Sequence, residues 1–138
     1  MSSSPPLLRL PGRDLRIERG RPLVMGIVNA NPDSFSDAVR LETTGRRFDH
    51  AMGLVADGAD LIDVGGESGV TYTGVTAAEV EAERVVPLVE RLAAEGVLVS
   101  VDTWKPPVAD AAIAAGAGIL NDVSGLADPG LADVAART

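Results

Sequence analysis

The sequence contains no cysteine and only one histidine, His50. The lack of cysteine excludes disulfide scaffolds, thiolate nucleophiles, zinc fingers and iron–sulfur sites, and it is compatible with a reducing compartment. A lone histidine also argues against a histidine-cluster metal centre. Aromatic residues make up only 3% of the chain, so the stacking platforms that bind single-stranded nucleic acid are absent.

Basic residues are outnumbered, and long apolar runs are missing. The 138 residues include 12 Lys plus Arg against 20 Asp plus Glu, which gives a formal net charge of −8. This balance argues against nucleic acid or a membrane as partner and favours small-molecule ligands. The longest weakly polar run, residues 111–120, is shorter than the ~18 residues of a membrane span, and residues 1–6 lack signal-peptide features. We therefore expect a cytoplasmic protein.

The pattern that is present predicts an α/β fold. Alternating apolar and charged residues around Pro11-Gly12 indicate a hairpin within residues 1–22. Four apolar runs follow, each closed by a polar residue, as in parallel strands buried on both faces. They span residues 23–29, 61–64, 97–102 and 119–121.

Helical patterns separate and follow these strands, at about residues 46–56, 77–94, 107–115 and from 129 onwards. The second has an apolar stripe made of Val80, Val85, Leu88, Val89 and Leu92. Gly58, Gly96 and Gly116 follow helices where a left-handed residue is favoured. Four such units fit either an open doubly wound sheet or about half of a (β/α)₈ barrel.

Polar residues close the predicted strands: Asn29, Asp63, Asp102 and the pair Asn121-Asp122. Ligands bind at the carboxyl ends of strands in both architectures. A carboxylate accepts two parallel N–H groups from a flat heterocycle, and an amide offers one donor and one acceptor. The alternative is that these residues cap helices or form turns.

Two loops carry further polar residues. The loop over residues 29–37 mixes turn formers, hydroxyls and carboxylates around one Phe. In the segment over residues 63–68, Gly65-Gly66 either lets backbone N–H groups approach a ligand or forms a tight turn. Glu67-Ser68-Gly69 lacks the glycine that a nucleophile elbow needs at position 70, so we reject serine hydrolysis.

Four motifs taken together resemble dihydropteroate synthase, a family of the pterin-binding superfamily. They are Met-Gly-Ile-Val-Asn-Ala-Asn-Pro-Asp-Ser-Phe-Ser-Asp at 25–37, Gly-Ala-Asp-Leu-Ile-Asp-Val-Gly-Gly-Glu-Ser at 58–68, Val-Ser-Val-Asp-Thr at 99–103 and Ile-Leu-Asn-Asp-Val-Ser-Gly at 119–125. The resemblance implies the N-terminal half of a (β/α)₈ barrel of the TIM type. Residues 1–22 would form a hairpin that plugs the barrel, and residues 23–138 a truncated pterin-binding domain.

The resemblance also implies a function. It is that of a transferase of folate biosynthesis, which joins 6-hydroxymethyl-7,8-dihydropterin diphosphate to 4-aminobenzoate with loss of diphosphate. The implied partners are these small molecules, without nucleic acid or membrane, and the family is compatible with a homodimer of a full-length protein.

Roles for individual residues follow from the same resemblance. Asn29 would help hold Mg²⁺ against the diphosphate, and Asp63, Asp102 and Asn121 would bind the pterin. Asp33, Ser34 and Phe35 would lie in a first loop that closes over the site and would serve as the catalytic residues. Thr71 and Thr73 would approximately replace a substrate-binding threonine of the family.

Departures from the family pattern favour a second hypothesis. Gly69-Val-Thr-Tyr-Thr-Gly74 stands where the family has Thr-Arg-Pro-Gly, so the arginine is missing. The only lysine, Lys105, does not match the family's pterin-binding lysine, which belongs to the second half of the barrel. The alternative is a non-catalytic pterin-binding paralogue or partner subunit, and we expect the isolated 138-residue chain to lack synthase activity. A pterin-dependent methyltransferase is disfavoured by the motif at 29–36.

Overall fold

The computed structural model describes residues 5–30, 44–67 and 75–138. These residues form a two-stranded hairpin followed by four strand–helix units. The hairpin consists of β1 (Leu7–Leu10) and β2 (Arg13–Arg16). The units are β3 (Met25–Asn29) with α1 (Thr44–Ala56), β4 (Leu61–Gly65) with α2 (Ala78–Ala94), β5 (Val99–Asp102) with α3 (Pro106–Ala114), and β6 (Ile119–Asn121) with α4 (Pro129–Ala136).

The strand order decides between the two predicted architectures. β3, β4, β5 and β6 pair in parallel and in sequence order. A doubly wound sheet would instead reverse its strand order at a switch point. Successive right-handed crossovers place all helices on one face of the sheet, and each helix contacts the next one along the chain. The fold is therefore that of the N-terminal half of a (β/α)₈ barrel, preceded by a hairpin.

The core lies between the sheet and its helices. It combines side chains of β3, β4 and β5 with the inner face of α2, where Val85, Leu88, Val89 and Leu92 are fully buried. The prediction that Val80 joins this stripe is wrong, because Val80 is 41% exposed. Glu81 occupies the inward position instead and is 1% exposed.

Glycines permit close approaches and tight helix ends. A Cβ on Gly26 would lie 2.9 Å from Ile62 Cδ1 and 3.0 Å from Leu54 Cδ1, so this position of β3 accepts no side chain without displacing its neighbours. After the predicted helices, Gly58, Gly96 and Gly116 have φ values of 111°, 77° and 112°. Their left-handed backbone confirms the predicted helix ends.

Burial on both faces is confirmed for β4 but not for β3. All five residues of β4 are buried, whereas Met25 and Ile27 of β3 are 42% and 57% exposed. β3 forms one edge of the four-stranded sheet, and in the described part of the chain nothing covers the face that carries these two side chains. The hairpin contacts the chain near the amino end of β5, where Arg13 Nη2 donates to Gly96 O at 2.9 Å.

No helix in the described ranges is long and apolar enough to cross a membrane.

We predict that the isolated 138-residue chain associates with itself. In the described residues β3 and β6 are sheet edges, and β3 adds the exposed side chains of Met25 and Ile27. Unpaired strand edges with apolar side chains favour pairing with another chain. Size-exclusion chromatography with light scattering is expected to show oligomers or aggregates, and fewer of them for Ile27→Lys. Val123→Lys, at an 86% exposed turn position, is the matched control. A monomer at all concentrations would contradict the prediction.

Candidate active site

The parallel register brings the strand-end residues into rows across the sheet. Asn29 pairs with Gly65, Gly65 with Asp102, and Asp102 with Asn121. Asp63 lies two positions before Gly65 and therefore on the same face of the sheet, one row lower. These residues therefore lie close together at the carboxyl ends of the strands.

Gly65 keeps a space open within the upper row. A Cβ at this position would lie 3.6 Å from Asp102 Oδ2 and 3.7 Å from Asn29 Oδ1. A side chain would therefore fill the gap between a carboxylate oxygen and an amide oxygen. Gly66 has a different role, since its Cβ would lie 2.7 Å from Val85 and 2.8 Å from Glu81. Of the two neighbouring glycines, the first leaves the gap between these two oxygens unfilled, and the second lets α2 pack against the chain.

Asp63 and Asn121 form a hydrogen-bonded pair on the floor of the site. Asn121 Nδ2 lies 3.3 Å from each carboxylate oxygen of Asp63, which is only 3% exposed. The pair fixes the orientation of the Asn121 amide. Asp122 faces elsewhere, because it accepts hydrogen bonds from Ser124 N at 2.8 Å and Leu126 N at 2.7 Å. The turn interpretation is therefore correct for Asp122.

The environment of Asp102 disfavours its charged form. Burial raises the pKa of this carboxyl to about 6, and the negative charges of Asp63, Glu81 and Asp122 add to the effect. A bound group that donates N–H hydrogen bonds would favour the carboxylate again. Asp102 is therefore suited to a ligand rich in N–H donors.

Lys105 connects two carboxylates beside this floor. Its Nζ donates to Glu81 Oε2 at 2.5 Å and to Glu67 Oε2 at 2.6 Å. Glu67 Oε1 accepts from Thr76 N at 3.0 Å. Burial opposes the charges, but these hydrogen bonds outweigh it, so the pKa of Lys105 is raised and that of Glu67 is lowered. We call Glu67, Glu81, Lys105 and the Thr76 amide the lysine network.

The lysine network was missed in the sequence, although a signal for it exists. Glu81, Val85, Leu88 and Leu92 follow one another at successive spacings of four, three and four residues. Glu81 therefore occupies a position on the apolar face of α2. A charged residue there needs a buried partner of opposite charge. Nothing in the sequence pattern identifies Lys105, 24 residues later, as that partner.

Ser100 is a second residue that the sequence analysis missed. It pairs with Asp63 in the lower row and is 1% exposed, and its Oγ has no hydrogen-bond partner among the described residues. The signal in the sequence is a hydroxyl two residues before Asp102 within an apolar run. On this face of the sheet, Ser100 extends the polar floor.

Two arginines add positive charge near the end of β4. Arg84 Nη1 donates to Gly66 O at 3.0 Å. Arg47 is 7% exposed, and its Nε has no hydrogen-bond partner in the part of the chain that the structure describes. Burial lowers the pKa of Arg47, and the charge of Arg84 lowers it further.

The other predicted site residues lie outside the described residues, so their roles stay predictions. They are Asp33, Ser34, Phe35, Thr71 and Thr73. Among the described residues, no group of three or more His, Asp or Glu side chains could hold a metal ion. A metal at this site would therefore depend on few protein oxygens, of which Asn29 Oδ1 borders the gap above Gly65.

A half-barrel with carboxylates and amides at the carboxyl ends of its strands defines a class of protein, the α/β-barrel enzymes that bind small molecules at this face. Comparison with known proteins identifies the family within that class. The profile of the family described as "Pterin binding enzyme" matches residues 25–138, and the chain belongs to this family.

Relatives of known activity are dihydropteroate synthases. The Bacillus subtilis enzyme is 46% identical over 117 residues, which cover 83% of this chain and 41% of that protein. The Mycobacterium leprae enzyme is 45% identical over 115 residues, covering 83% and 40%. The chain thus spans less than half the length of these relatives.

Solved structures of dihydropteroate synthases are similar to the structure of this chain. Dihydropteroate synthase from Xanthomonas albilineans with 4-aminobenzoic acid superposes with a TM-score of 0.84 and 46% identity, over 96% of this chain and 48% of that one. The Burkholderia cenocepacia enzyme complexed with 7,8-dihydropteroate gives a TM-score of 0.78 and 38% identity, over 96% and 43%.

We predict that Asp102→Asn stabilises the fold at neutral pH. The raised pKa of about 6 means that the native state holds its proton more tightly than the unfolded chain, whose carboxyl titrates near 3.8. The free energy of unfolding therefore falls as the pH rises from about 4 to 6, and the loss persists above pH 6. After allowance for solvent screening of this partly exposed group, the variant should gain about 1 kcal/mol at pH 7.5 and little at pH 4.

Urea unfolding of both proteins at the two pH values measures this difference. Asp110→Asn is the control, because the side chain of Asp110 is 65% exposed and pairs with the exposed side chain of Arg137. An equal gain at both pH values would show that the effect is not due to the ionisation of Asp102.

Proposed function

We propose that the chain forms the pterin-binding part of a dihydropteroate synthase-like transferase. The reaction joins 6-hydroxymethyl-7,8-dihydropterin diphosphate to 4-aminobenzoate and releases diphosphate. The observation that supports this most directly is the floor of Asp63, Asp102 and Asn121 beside the gap that Gly65 keeps open. The 46% identity to a synthase over 83% of the chain supports the same reaction.

The floor suits the amino-oxo edge of a pterin ring. A carboxylate at Asp102 accepts the paired N–H groups that such an edge presents. Asn121 Nδ2 is already directed at Asp63, which leaves Asn121 Oδ1 to accept from a further ring N–H. In this arrangement Asp63 acts by orienting Asn121, and the amino-oxo edge of the ring faces the ends of β4, β5 and β6.

The chemical step is a displacement at the carbon outside the ring. The amine nitrogen forms a bond to this carbon, the carbon–oxygen bond breaks, diphosphate leaves with the electron pair, and the amine nitrogen loses a proton. An aromatic amine is neutral at pH 7, so a strong general base is not needed. Positive charge that develops on the dihydropterin is stabilised by the negative charge of Asp63 and Asp102 at the edge of the ring.

Mg²⁺ fits the residues at the edge of the gap. Mg²⁺ prefers oxygen ligands and is often bound by one or two protein oxygens together with substrate phosphates. Asn29 Oδ1, which borders the gap above Gly65, would be such a ligand. When bound, the ion neutralises charge on the departing diphosphate. The proposed site also includes the residues Asp33, Ser34, Phe35, Thr71 and Thr73. A cytoplasmic location and a homodimer of the full-length protein belong to the same proposal.

A non-catalytic pterin-binding paralogue is the second candidate. The segment Gly69-Val-Thr-Tyr-Thr-Gly74 favours it, because the arginine of the family's Thr-Arg-Pro-Gly motif is missing. An assay of diphosphate release separates the two functions when it is run on the full-length protein. Turnover with 4-aminobenzoate supports the synthase, whereas pterin binding without turnover supports the paralogue.

We predict that in the full-length protein Asp102→Ala weakens pterin binding by roughly 1.5–3 kcal/mol, the usual range for hydrogen bonds to a charged group. Isothermal titration calorimetry with 6-hydroxymethyl-7,8-dihydropterin measures the change. Asp110→Ala, which removes an exposed carboxylate of α3, is the matched control. An unchanged affinity in a folded Asp102→Ala protein would contradict the assignment.

Diphosphate binding should depend on Mg²⁺, and Asn29→Ala should reduce that dependence. The chain carries a net charge of −8 and lacks the arginine of the family motif, so it has few other means of holding an anion. Calorimetric titration of diphosphate with Mg²⁺ and with EDTA, on both proteins, gives the two dependences. Equal affinities of the unaltered chain in Mg²⁺ and in EDTA would rule out the metal role.

A further inference from the structure

Arg47 is a buried cation without a counter-charge in the described part of the chain. It is the fourth residue of α1 and is 7% exposed. Its Nε makes no hydrogen bond with the described residues, and none of the ion pairs among them includes its guanidinium group. Charged side chains are rarely buried unless they are paired, because each loses its hydration on folding. This position therefore favours a bound anion.

A second guanidinium group lies beside Arg47. Arg84 belongs to the second turn of α2, is half-buried, and donates from Nη1 to Gly66 O at 3.0 Å. This hydrogen bond holds Arg84 at the carboxyl end of β4. Burial lowers the pKa of Arg47 and the charge of Arg84 lowers it further, so the two cations lie near each other. An anion that contacts both would relieve their repulsion.

The buried carboxylates next to the end of β4 are already paired elsewhere. Glu67 Oε2 accepts from Lys105 Nζ at 2.6 Å, and Glu81 Oε2 accepts from the same nitrogen at 2.5 Å. Each ion pair compensates its members within the lysine network. Neither carboxylate forms an ion pair with Arg47 or Arg84. The positive charge of the two arginines is thus left to a group outside this network.

The start of α1 adds to the positive potential. The first turn of a helix carries a partial positive charge from its free N–H groups, which favours acidic residues and disfavours basic ones. The first turn of α2 contains Glu79 and Glu81, whereas that of α1 contains no acidic residue and includes Arg46 and Arg47. The charges of α1 are therefore arranged against the helix dipole. A bound anion would offset both the arginine and the dipole.

These groups lie at the same end of the half-barrel as the candidate active site. α1 follows β3 and α2 follows β4, so both helices begin at the carboxyl ends of the strands. Gly66, which accepts from Arg84, directly follows Gly65 at the gap above the floor. The arginines belong to the helices and therefore lie on the outer side of the sheet. The uncompensated Asp102 lies on its inner side.

We propose that Arg47 and Arg84 form a binding site for a phosphate-type oxyanion at the start of α1, beside the carboxyl end of β4. A guanidinium group presents pairs of N–H donors in a fork that matches two oxygens of a phosphate. The unpartnered Nε of Arg47 is one donor of such a fork. Free phosphate and the diphosphate group of a substrate present the same oxygens. The site itself does not depend on the proposed synthase function.

Urea unfolding of the 138-residue chain tests the site without any pterin. The unfolding midpoint is measured in EDTA with increasing sodium phosphate, and in sodium chloride of equal ionic strength at the same protein concentration. EDTA removes Mg²⁺, and matched ionic strength removes general screening. Trp104, the only tryptophan, reports unfolding. A ligand that binds the native state raises its stability, so we expect phosphate to raise the midpoint more than chloride does.

Three variants assign the effect to the two arginines. Arg47→Met and Arg84→Met should each weaken phosphate binding about tenfold, because each removes hydrogen bonds between charged groups. Arg137→Met is the matched control, since it makes the same change of charge in an ion pair whose side chains are 62% and 65% exposed. Arg137→Met should keep the phosphate effect. Without phosphate, Arg47→Met should unfold at the same or a higher urea concentration, because it removes an unpaired buried charge.

Three results would overturn the proposal. The first is an equal effect of phosphate and chloride on the unaltered chain. The second is a phosphate effect that survives both Arg47→Met and Arg84→Met. The third is a lower midpoint of Arg47→Met without phosphate together with an unchanged phosphate effect, which would mean that a carboxylate of the chain itself pairs with Arg47.

Calorimetry on the same proteins identifies the source of the oxyanion. If Arg47→Met weakens binding of 6-hydroxymethyl-7,8-dihydropterin diphosphate but not of 6-hydroxymethyl-7,8-dihydropterin, the site holds the diphosphate group of the substrate. If it weakens binding of inorganic phosphate alone, the site holds free phosphate. Failure of the unaltered chain to bind either pterin, with phosphate binding intact, would overturn the proposed function and support a separate phosphate site.

Discussion

The parallel register of β3 to β6 is the constraint on which the candidate site depends. It aligns Asn29, Gly65, Asp102 and Asn121 across four strands that are distant in sequence. A slip of one residue in any strand would turn its polar residue towards the helices and its apolar residues into the site. The buried side chains of α2 and of β4 oppose such a slip, so the hydrophobic core fixes the geometry of the polar face.

The carboxylates at the carboxyl ends of the strands fall into two groups, those paired with a cation and those that are not. Glu67 and Glu81 are compensated within the protein by Lys105, at distances of 2.6 and 2.5 Å. Within the described residues Asp63 and Asp102 have no such cation, and the negative charge of Asp63 contributes to the raised pKa of Asp102. The compensated carboxylates Glu67 and Glu81 connect parts of the scaffold, while Asp63 and Asp102 remain available to the N–H donors of the proposed ligand. Such a division is expected where stability is given up at a binding site, which is the role proposed for Asp63 and Asp102.

Local sequence patterns predicted most of the fold. Apolar runs predicted β3 to β6, glycines with left-handed backbone predicted the ends of α1, α2 and α3, and polar strand ends predicted the row of site residues. The failures concern burial. Val80 was placed in the core and is exposed, and Glu81 takes the inward position, because a buried ion pair reverses the usual preference of charged residues for solvent.

The sequence by itself determined the α/β class, the family motifs and the residues that end each strand, because these depend on periodicity and on spacing over a few residues. Only the tertiary structure decided between a barrel and a doubly wound sheet, since both use the same strand–helix unit and differ in which strands pair. It also decided that Asp122 serves a turn, that Gly65 leaves a space, and that Lys105 meets Glu81. These are contacts between segments far apart in the chain, and no local pattern encodes the distance between them.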